Sequence, residues 1–329
     1  MARSIYHIYM DLLQKNNIKD YFFVAPMPFS KKHKIGVSEK KYPIFFIECQ
    51  SPGFAMDIKL ESISILFNKE CQLLQNHKSN KRLISNTYTI IELESGSTDF
   101  QRYFVEVIAL VLQTLPEEIT FSELKKEIKT IVELFSRFNK APQKQIQGLW
   151  AELLVIEQAK DPDYFIQSWH NAPNDKFDFN DGLDKIEVKC TSQPRRIHDF
   201  SLDQLNPNKN SNLLIASVIV VNTGIGKNIF DLVEQICRRV KDPKLQFRLK
   251  EIIGQTIGQD FEKISTQYYD YHQAIDTLSF YDFRDIPTIL LSNIPDKIEN
   301  VRFTCDLSNI KSISEKDFDI LQSQLFRSV

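Results

Sequence analysis

Asp178 and the triplet Glu187-Val188-Lys189 are the residues whose types and spacing could do chemistry. They lie in KFDFNDGLDKIEVKC, residues 176 to 190, two short alternating runs around an Asn180-Asp181-Gly182 turn signal. Side chains alternate across a strand, and opposed residues of an antiparallel pair share a face. A hairpin here therefore puts Asp178, Glu187 and Lys189 on one face and Phe177, Phe179, Ile186 and Val188 on the other. Two carboxylates can hold Mg²⁺, a hard ion that takes oxygen ligands and leaves positions for water and phosphate. Such an ion makes water nucleophilic near neutral pH, and an ammonium offsets the charge that builds on a transferring phosphate. The chemistry that fits is metal-dependent hydrolysis of a phosphodiester, with Lys189 as the cation.

Glu-X-Lys by itself carries little weight. The chain repeats it at Glu39/Lys41, Glu123/Lys125 and Glu127/Lys129, where alternating charge reads as a solvated face. What singles out Glu187/Lys189 is the order of elements around it. Upstream, Gln143 to Gln158 reads as a helix with an apolar stripe through Ile146, Leu149, Trp150, Leu153, Leu154 and Ile156, and Glu152 at its middle. Gly148 inside that helix predicts close approach of a backbone or a ligand, or else ordinary packing. The aromatic run Tyr164 to Trp169, bounded by Asp161-Pro162 and Asn171-Ala172-Pro173-Asn174, reads as a strand. Downstream of the hairpin come a helix-like segment at Ser201 to Leu205 and a buried β-branched strand at Leu213 to Val221, too short to cross a bilayer. The order is helix, three strands, helix, strand.

These residues carry a family resemblance. Gly148-Leu149 with Glu152-Leu153, then Asp178, then Glu187-Val188-Lys189, then Ser201-Leu202 with Gln204-Leu205 ahead of a buried strand resemble the PD-(D/E)XK restriction-endonuclease-like superfamily. More narrowly, the chain is similar to PD-(D/E)XK motif proteins encoded beside DNA methyltransferases and helicase or ATPase genes in bacterial restriction and anti-phage clusters. The segment Tyr281 to Leu307 resembles the C-terminal end of that narrower family. The resemblance implies a divalent-metal-dependent DNA endonuclease using Mg²⁺, with Mn²⁺ as substitute. Asp178, Glu187 and Glu152 would be metal-holding acids, Lys189 the catalytic lysine and Gln204 the polar residue that follows it. It implies double-stranded DNA as partner, with a methyltransferase, an ATPase or helicase, or a second copy of the chain as further candidates. Phe177 stands where the superfamily pattern has proline, so the first acid is assigned by spacing. Asp175 and Asp184 compete for that role, and strand parity favours Asp178 over Asp184.

Composition bounds the reading. The chain has 329 residues, 42% hydrophobic and 26% charged, which predicts a folded α/β protein with no disordered character. Met1 to Asn17 is an amphipathic helix pattern that contains Asp11 and Lys15, unlike a signal peptide or membrane anchor. Cys49, Cys71, Cys190, Cys237 and Cys305 are scattered and form no CxxC pair, which predicts a reduced, cytoplasmic protein without a zinc site. The formal net charge of −2 excludes a protein coated in basic charge. Between Thr191 and Lys250, however, basic residues outnumber acidic ones, and Arg195, Arg196 and Lys209 are candidate phosphate contacts. Asn222-Thr223-Gly224-Ile225-Gly226-Lys227 fails as a phosphate loop, because Val221 stands where glycine is needed and no Ser or Thr follows Lys227.

The sequence reading divides the chain into an N-terminal α+β domain (1–97), connecting helices (98–140), a restriction-endonuclease-like core (141–225) and a mostly helical C-terminal region whose late strands return to the core (226–329). Strands are expected at Tyr21 to Ala25, Ile44 to Cys49, Ile58 to Phe67 and Tyr88 to Leu93, and helices at Thr98 to Leu115 and Phe121 to Phe138. Thr120 and Glu123 form a capping box before the latter. Lys31-Lys32-His33-Lys34 reads as an exposed loop, with phosphate contact as the alternative. A nuclease-fold subunit that binds DNA or a partner without cutting is the second functional class.

Overall fold

The computed structural model describes residues 4–14, 21–51, 53–77, 80–142, 145–170, 175–208, 211–314 and 323–329. The chain forms two units, one from residues 1–142 with 257–262 and one from 143–256 with 263–329.

In the first unit, α1 (Ile5–Leu13) precedes six strands: β1 (Phe22–Met27), β2 (Ser30–Val37), β3 (Pro43–Ile47), β4 (Ile58–Lys59), β5 (Ile63–His77) and β6 (Asn80–Leu93). They hydrogen-bond in the order β1-β2-β3-β6-β5-β4, and a parallel β1–β5 pairing closes the sheet into a barrel. Its core holds Val24, Ile44, Phe46, Leu73, Tyr88 and Ile90. Strands are present at Tyr21 to Ala25, Ile44 to Cys49 and Tyr88 to Leu93, whereas Ile58 to Phe67, expected as one strand, is broken into β4 and the start of β5, which pair antiparallel; β5 and β6 run further into polar sequence than the apolar runs indicate. Their cross-strand ladder continues from Ile63↔Leu93 to His77↔Asn80. The Lys31 to Lys34 run is a correction: it is part of β2, with His33 and Lys34 buried. Lys34 Nζ donates to the Lys32 carbonyl at 2.7 Å, and Lys32 pairs with Glu118 at 3.1 Å. The helices α2 (Thr98–Gln113) and α3 (Phe121–Phe135) follow, the latter opened by the Thr120/Glu123 capping box. Phe100, Tyr103, Phe104, Phe135, Phe138 and Phe261 form an aromatic cluster whose ring centroids lie 4.9 to 6.2 Å apart.

The second unit carries α4 (Ile146–Gln158) and then α5 (Pro162–Ser168). Tyr164 to Trp169 was expected as a strand; it is mostly helix. Asp161 accepts from the Tyr164 N–H and Pro162 occupies the first turn, so cap and proline decide the segment against its aromatic, β-favouring content. Next come β7 (Phe179–Asn180), β8 (Lys185–Thr191), β9 (Ile197–Ser201), a 3₁₀ turn at Leu202–Leu205, β10 (Leu213–Ile219) and β11 (Asn222–Lys227). Then follow α6 (Ile229–Arg239), α7 (Pro243–Ile257), a helix at Tyr271–Thr277, β12 (Ser279–Asp282) and β13 (Arg302–Asp306). The main sheet has the order β12-β10-β8-β7, with β8 and β10 parallel and both edge pairs antiparallel. β9 stands outside this sheet and pairs with β13; of the three expected core strands, the first is the helix α5 and the other two are the paired β7 and β8. The architecture is mixed α/β. Among the described residues, no helix is long and apolar enough to cross a membrane.

Both faces of the main sheet are covered. Glu187 stands beside Ile215, and Leu213 and Ile215 belong to a buried cluster with Phe200, Leu205, Tyr281, Ile286 and Leu307. α4 packs against β8, on the opposite face where Ile186 and Val188 point. Trp150 of α4 donates to the Lys227 carbonyl at 3.0 Å. The close approach expected at Gly148 is absent: a Cβ added there would meet nothing within 4 Å.

Candidate active site

The hairpin of β7 and β8 is built by its turn. Asp181 accepts from the N–H groups of Leu183 and Asp184, Asn180 accepts from Gly182, and Gly182 has φ of 98°. The register pairs Phe179 with Ile186 and Asn180 with Lys185, so Asp178, one residue beyond the ladder, stands across from Glu187. Phe177 is a correction. It does not share the Phe179 face but joins the cluster on the Glu187 side, because the chain bends before β7 begins. Phe179 instead packs on Phe165, 5.0 Å between centroids.

Glu187 and Lys189 point to the same face of β8, and Lys189 Nζ lies 3.0 Å from Glu187 Oε1. Gln204 joins them. Its Oε1 accepts from Lys189 Nζ at 3.0 Å and from the Ser201 N–H at 3.1 Å, while its Nε2 donates to Glu187 Oε1. The Ser201/Gln204 capping box of the 3₁₀ turn thus fixes the amide that bridges acid and lysine. Lys189 Nζ also sits over the Phe200 ring, 5.1 Å from its centroid. Behind it, buried His198 bonds Ser217 Oγ at 2.8 Å, and burial, with Lys189 and Arg196 near, holds its pKa down to about 4.

Asp178 is buried, and its Oδ2 accepts from the Val188 N–H at 2.8 Å. On its other side stand Glu152, only 2% exposed on α4, and His170. Trp169 Nε1 donates to Glu152 Oε2 at 2.8 Å, and His170 Nε2 lies 2.9 Å from the same oxygen. Glu152, His170 and Asp178 offer ligand atoms that all lie within 4.8 Å of one another, a donor set of two carboxylates and one imidazole that can take a divalent cation. Glu187 is not in that group. His170 is absent from the sequence reading. Its approach depends on an isolated bridge between Trp169 and Phe179 and on a bond from the His170 N–H to the Asp178 carbonyl at 3.0 Å, contacts with no local sequence signature.

The competing acids are engaged elsewhere. Asp184 accepts from the Asn212 amide at 2.8 Å, and Asp175 from Asn180 at 3.0 Å. Of the candidate phosphate contacts, Arg195 is 70% exposed and pairs with Asp306. Arg196 donates to the Ser217 carbonyl at 2.8 Å, to Ser217 Oγ at 2.9 Å and to the Thr277 carbonyl, which ties its guanidinium to the chain itself rather than to solvent. Lys209 lies outside the described residues. Two further arginines of the basic stretch behave like Arg196: Arg239 donates to the carbonyls of Glu157 and Ala159 at the end of α4, and Arg248 to those of Ile166 and Trp169. The five cysteines are free thiols.

A mixed α/β chain that sets a buried acid and histidine group beside a Glu-X-Lys strand has a layout suited to metal-assisted chemistry. Residues 26–308 match the family described as "Putative PD-(D/E)XK family member, (DUF4420)", and the chain belongs to that family. No curated protein and no solved structure matches significantly.

Proposed function

We propose that the protein is a divalent-metal-dependent DNA endonuclease of a bacterial restriction or anti-phage system. The second unit is then its restriction-endonuclease-like core. The observation that carries the reading is the Glu187–Lys189–Gln204 network standing across the hairpin from buried Asp178, in a chain of the PD-(D/E)XK family. Asp178, Glu187 and Glu152 are the carboxylates that would hold Mg²⁺ or Mn²⁺. A bound ion of this kind supplies positive charge at the phosphate and acidifies the water it carries.

The chain's own residues then have distinct duties. Gln204 holds Lys189 and Glu187 in one geometry, so the ammonium is in place before a phosphate arrives. Lys189 offsets the charge that develops on the phosphate, and its low exposure strengthens that interaction over one in water. Arg195, exposed at the start of β9, is the described cation best placed to meet a phosphate backbone, at the cost of its pairing with Asp306.

Plasmid nicking with Mg²⁺ or Mn²⁺ tests the reading. Wild type should cut, Ca²⁺ should support binding without cutting, and Lys189→Ala should abolish cleavage with DNA affinity nearly unchanged. Cleavage that persists in excess chelator, or survives Lys189→Ala, would place the chemistry elsewhere. A second reading, a silent nuclease-fold subunit that binds DNA or a defence partner, draws support from the net charge of −2 and from Arg196, Arg239 and Arg248 being committed to backbone carbonyls. It predicts no nicking by the wild type under any metal, alone or with a companion protein.

A further inference from the structure

We propose that His170 is a direct ligand of the divalent ion, and that its nitrogen makes the site select a transition-series ion such as Mn²⁺ over Mg²⁺. The inference rests on the metal-dependent nuclease reading and names the ion for that site.

Mg²⁺ demands oxygen and is held by one or two carboxylates with water, whereas first-row transition ions also accept imidazole nitrogen, and among them Mn²⁺ is the one that still takes carboxylate and water ligands as Mg²⁺ does. Of the three groups whose ligand atoms lie within 4.8 Å, one is His170. Glu187 lies outside that group, its Oε1 meeting Lys189 Nζ and Gln204 Nε2. The histidine therefore has the stronger geometric claim on the ion that Asp178 and Glu152 hold.

Its surroundings are those of a positioned ligand. The main chain of His170 is tied to the Asp178 carbonyl, and Arg248 of α7 fixes the preceding carbonyl of Trp169 at 2.8 Å. Trp169 Nε1 meanwhile orients Glu152, so consecutive residues supply the imidazole and the hydrogen bond that aims the neighbouring carboxylate. The His170 side chain is 23% exposed against 3% for Glu152, so solvent reaches the group from the histidine side. Water or a phosphate oxygen can complete the coordination there without displacing a protein ligand.

The test is metal binding by the full chain, independent of cleavage. Free Mn²⁺ is titrated by electron paramagnetic resonance, Mg²⁺ by calorimetry, and electron spin-echo modulation reads nitrogen bound to Mn²⁺. Wild type should bind Mn²⁺ about tenfold or more tighter than Mg²⁺ and show nitrogen modulation. His170→Ala should lose both; His170→Gln, which keeps an oxygen and a hydrogen-bond donor near Glu152, should bring the two ions to similar affinity. Circular dichroism checks that each variant folds, and His170→Gln carries the test if the alanine variant does not. Mn²⁺ binding without nitrogen modulation, lost in Glu187→Gln and intact in His170→Ala, would overturn the inference and leave the nuclease reading standing. Nitrogen-bound Mn²⁺ in a wild type that never nicks DNA would sustain the inference and sink the nuclease reading. A wild type that binds neither ion overturns both.

Discussion

His33 on β2 of the barrel and His198 on β9 of the second unit are both buried, and burial holds both at a pKa of about 4. They differ in what meets their nitrogens. His198 bonds Ser217, which also takes two bonds from Arg196, whereas neither ring nitrogen of His33 has a hydrogen-bond partner among the described residues. The same is true of the Tyr88 hydroxyl in the barrel core. The barrel unit thus relies on apolar and aromatic packing and carries orphaned polar atoms at a cost. Among the described residues of the second unit, no buried side-chain polar atom lacks a hydrogen-bond partner, which fixes their geometry. Fixed geometry is what a catalytic group needs, and the acids and the lysine lie in the saturated unit.

The largest effect that would test this contrast is in the aromatic cluster. Phe135 is 1% exposed and lies within 6.2 Å, ring to ring, of Phe100, Tyr103, Phe104 and Phe138. Phe135→Ala should cost about 3–5 kcal/mol, read as a lower urea midpoint. A loss under about 1 kcal/mol would show that packing is not what holds the barrel unit together.

Acid titration sharpens the contrast next. A histidine whose folded pKa lies below its ordinary 6.5 stays neutral in the fold, so below 6.5 the unfolded chain binds more protons and stability rises with pH. The contribution is complete above about 6.5 and disappears as pH falls towards 4, a loss on the order of 3 kcal/mol for each of His33 and His198. His33→Leu and His198→Leu should each flatten the decline of stability with pH between 6.5 and 4. A variant whose decline matches the wild type would show that its histidine is accessible to protons in the fold.

How much of this was legible in the sequence depends on the range of each contact. The hairpin at Asn180-Asp181-Gly182, the capping box at Thr120/Glu123 and the helix-like turn at Ser201 to Leu205 are set within a few residues, so period and cap residues reveal them. The meeting of Gln204 with Lys189 needed one further step, the return of the chain after β9. Tyr164 to Trp169 has the aromatic content of a strand, yet the cap at Asp161 and the proline at 162, both present in the sequence, turn it into helix. His170 could not be found this way. Its place beside Glu152 follows from a bridge to Phe179 and from Arg248 on a distant helix, and neither leaves a periodic trace. The closing β1–β5 pairing of the barrel is parallel and non-local, hidden for the same reason.

Trp169→Phe probes the saturated unit with a smaller change. It removes the Nε1–H that Glu152 Oε2 accepts at 2.8 Å while keeping an aromatic ring against Phe179. Removing a donor from a buried acceptor costs about 1–3 kcal/mol, so stability should fall by that amount. Metal affinity should fall with it, because the carboxylate loses its orientation. Unchanged stability would mean that Glu152 finds another donor at no cost, contrary to a unit whose polar geometry is unique.

The smallest effect separates the two histidines at neutral pH, where both are uncharged. His33→Leu replaces a buried ring whose nitrogens have no partner by an apolar group, removing polar atoms that were desolvated without compensation. It should be neutral or stabilise the protein by up to about 1 kcal/mol, offset in part by the misfit of a differently shaped side chain. His198→Leu removes the same ring from a site where its Nε2 meets Ser217 Oγ at 2.8 Å, so it should destabilise by about 1 kcal/mol. The difference in sign, measured as urea midpoints at pH 7.5 on the full chain, is the point of the experiment. If both variants lose stability equally, His33 is satisfied by something beyond the protein's own atoms, an ordered water being the simplest candidate. The barrel would then be as saturated as the sheet, and the contrast between packing and polar fixation would vanish.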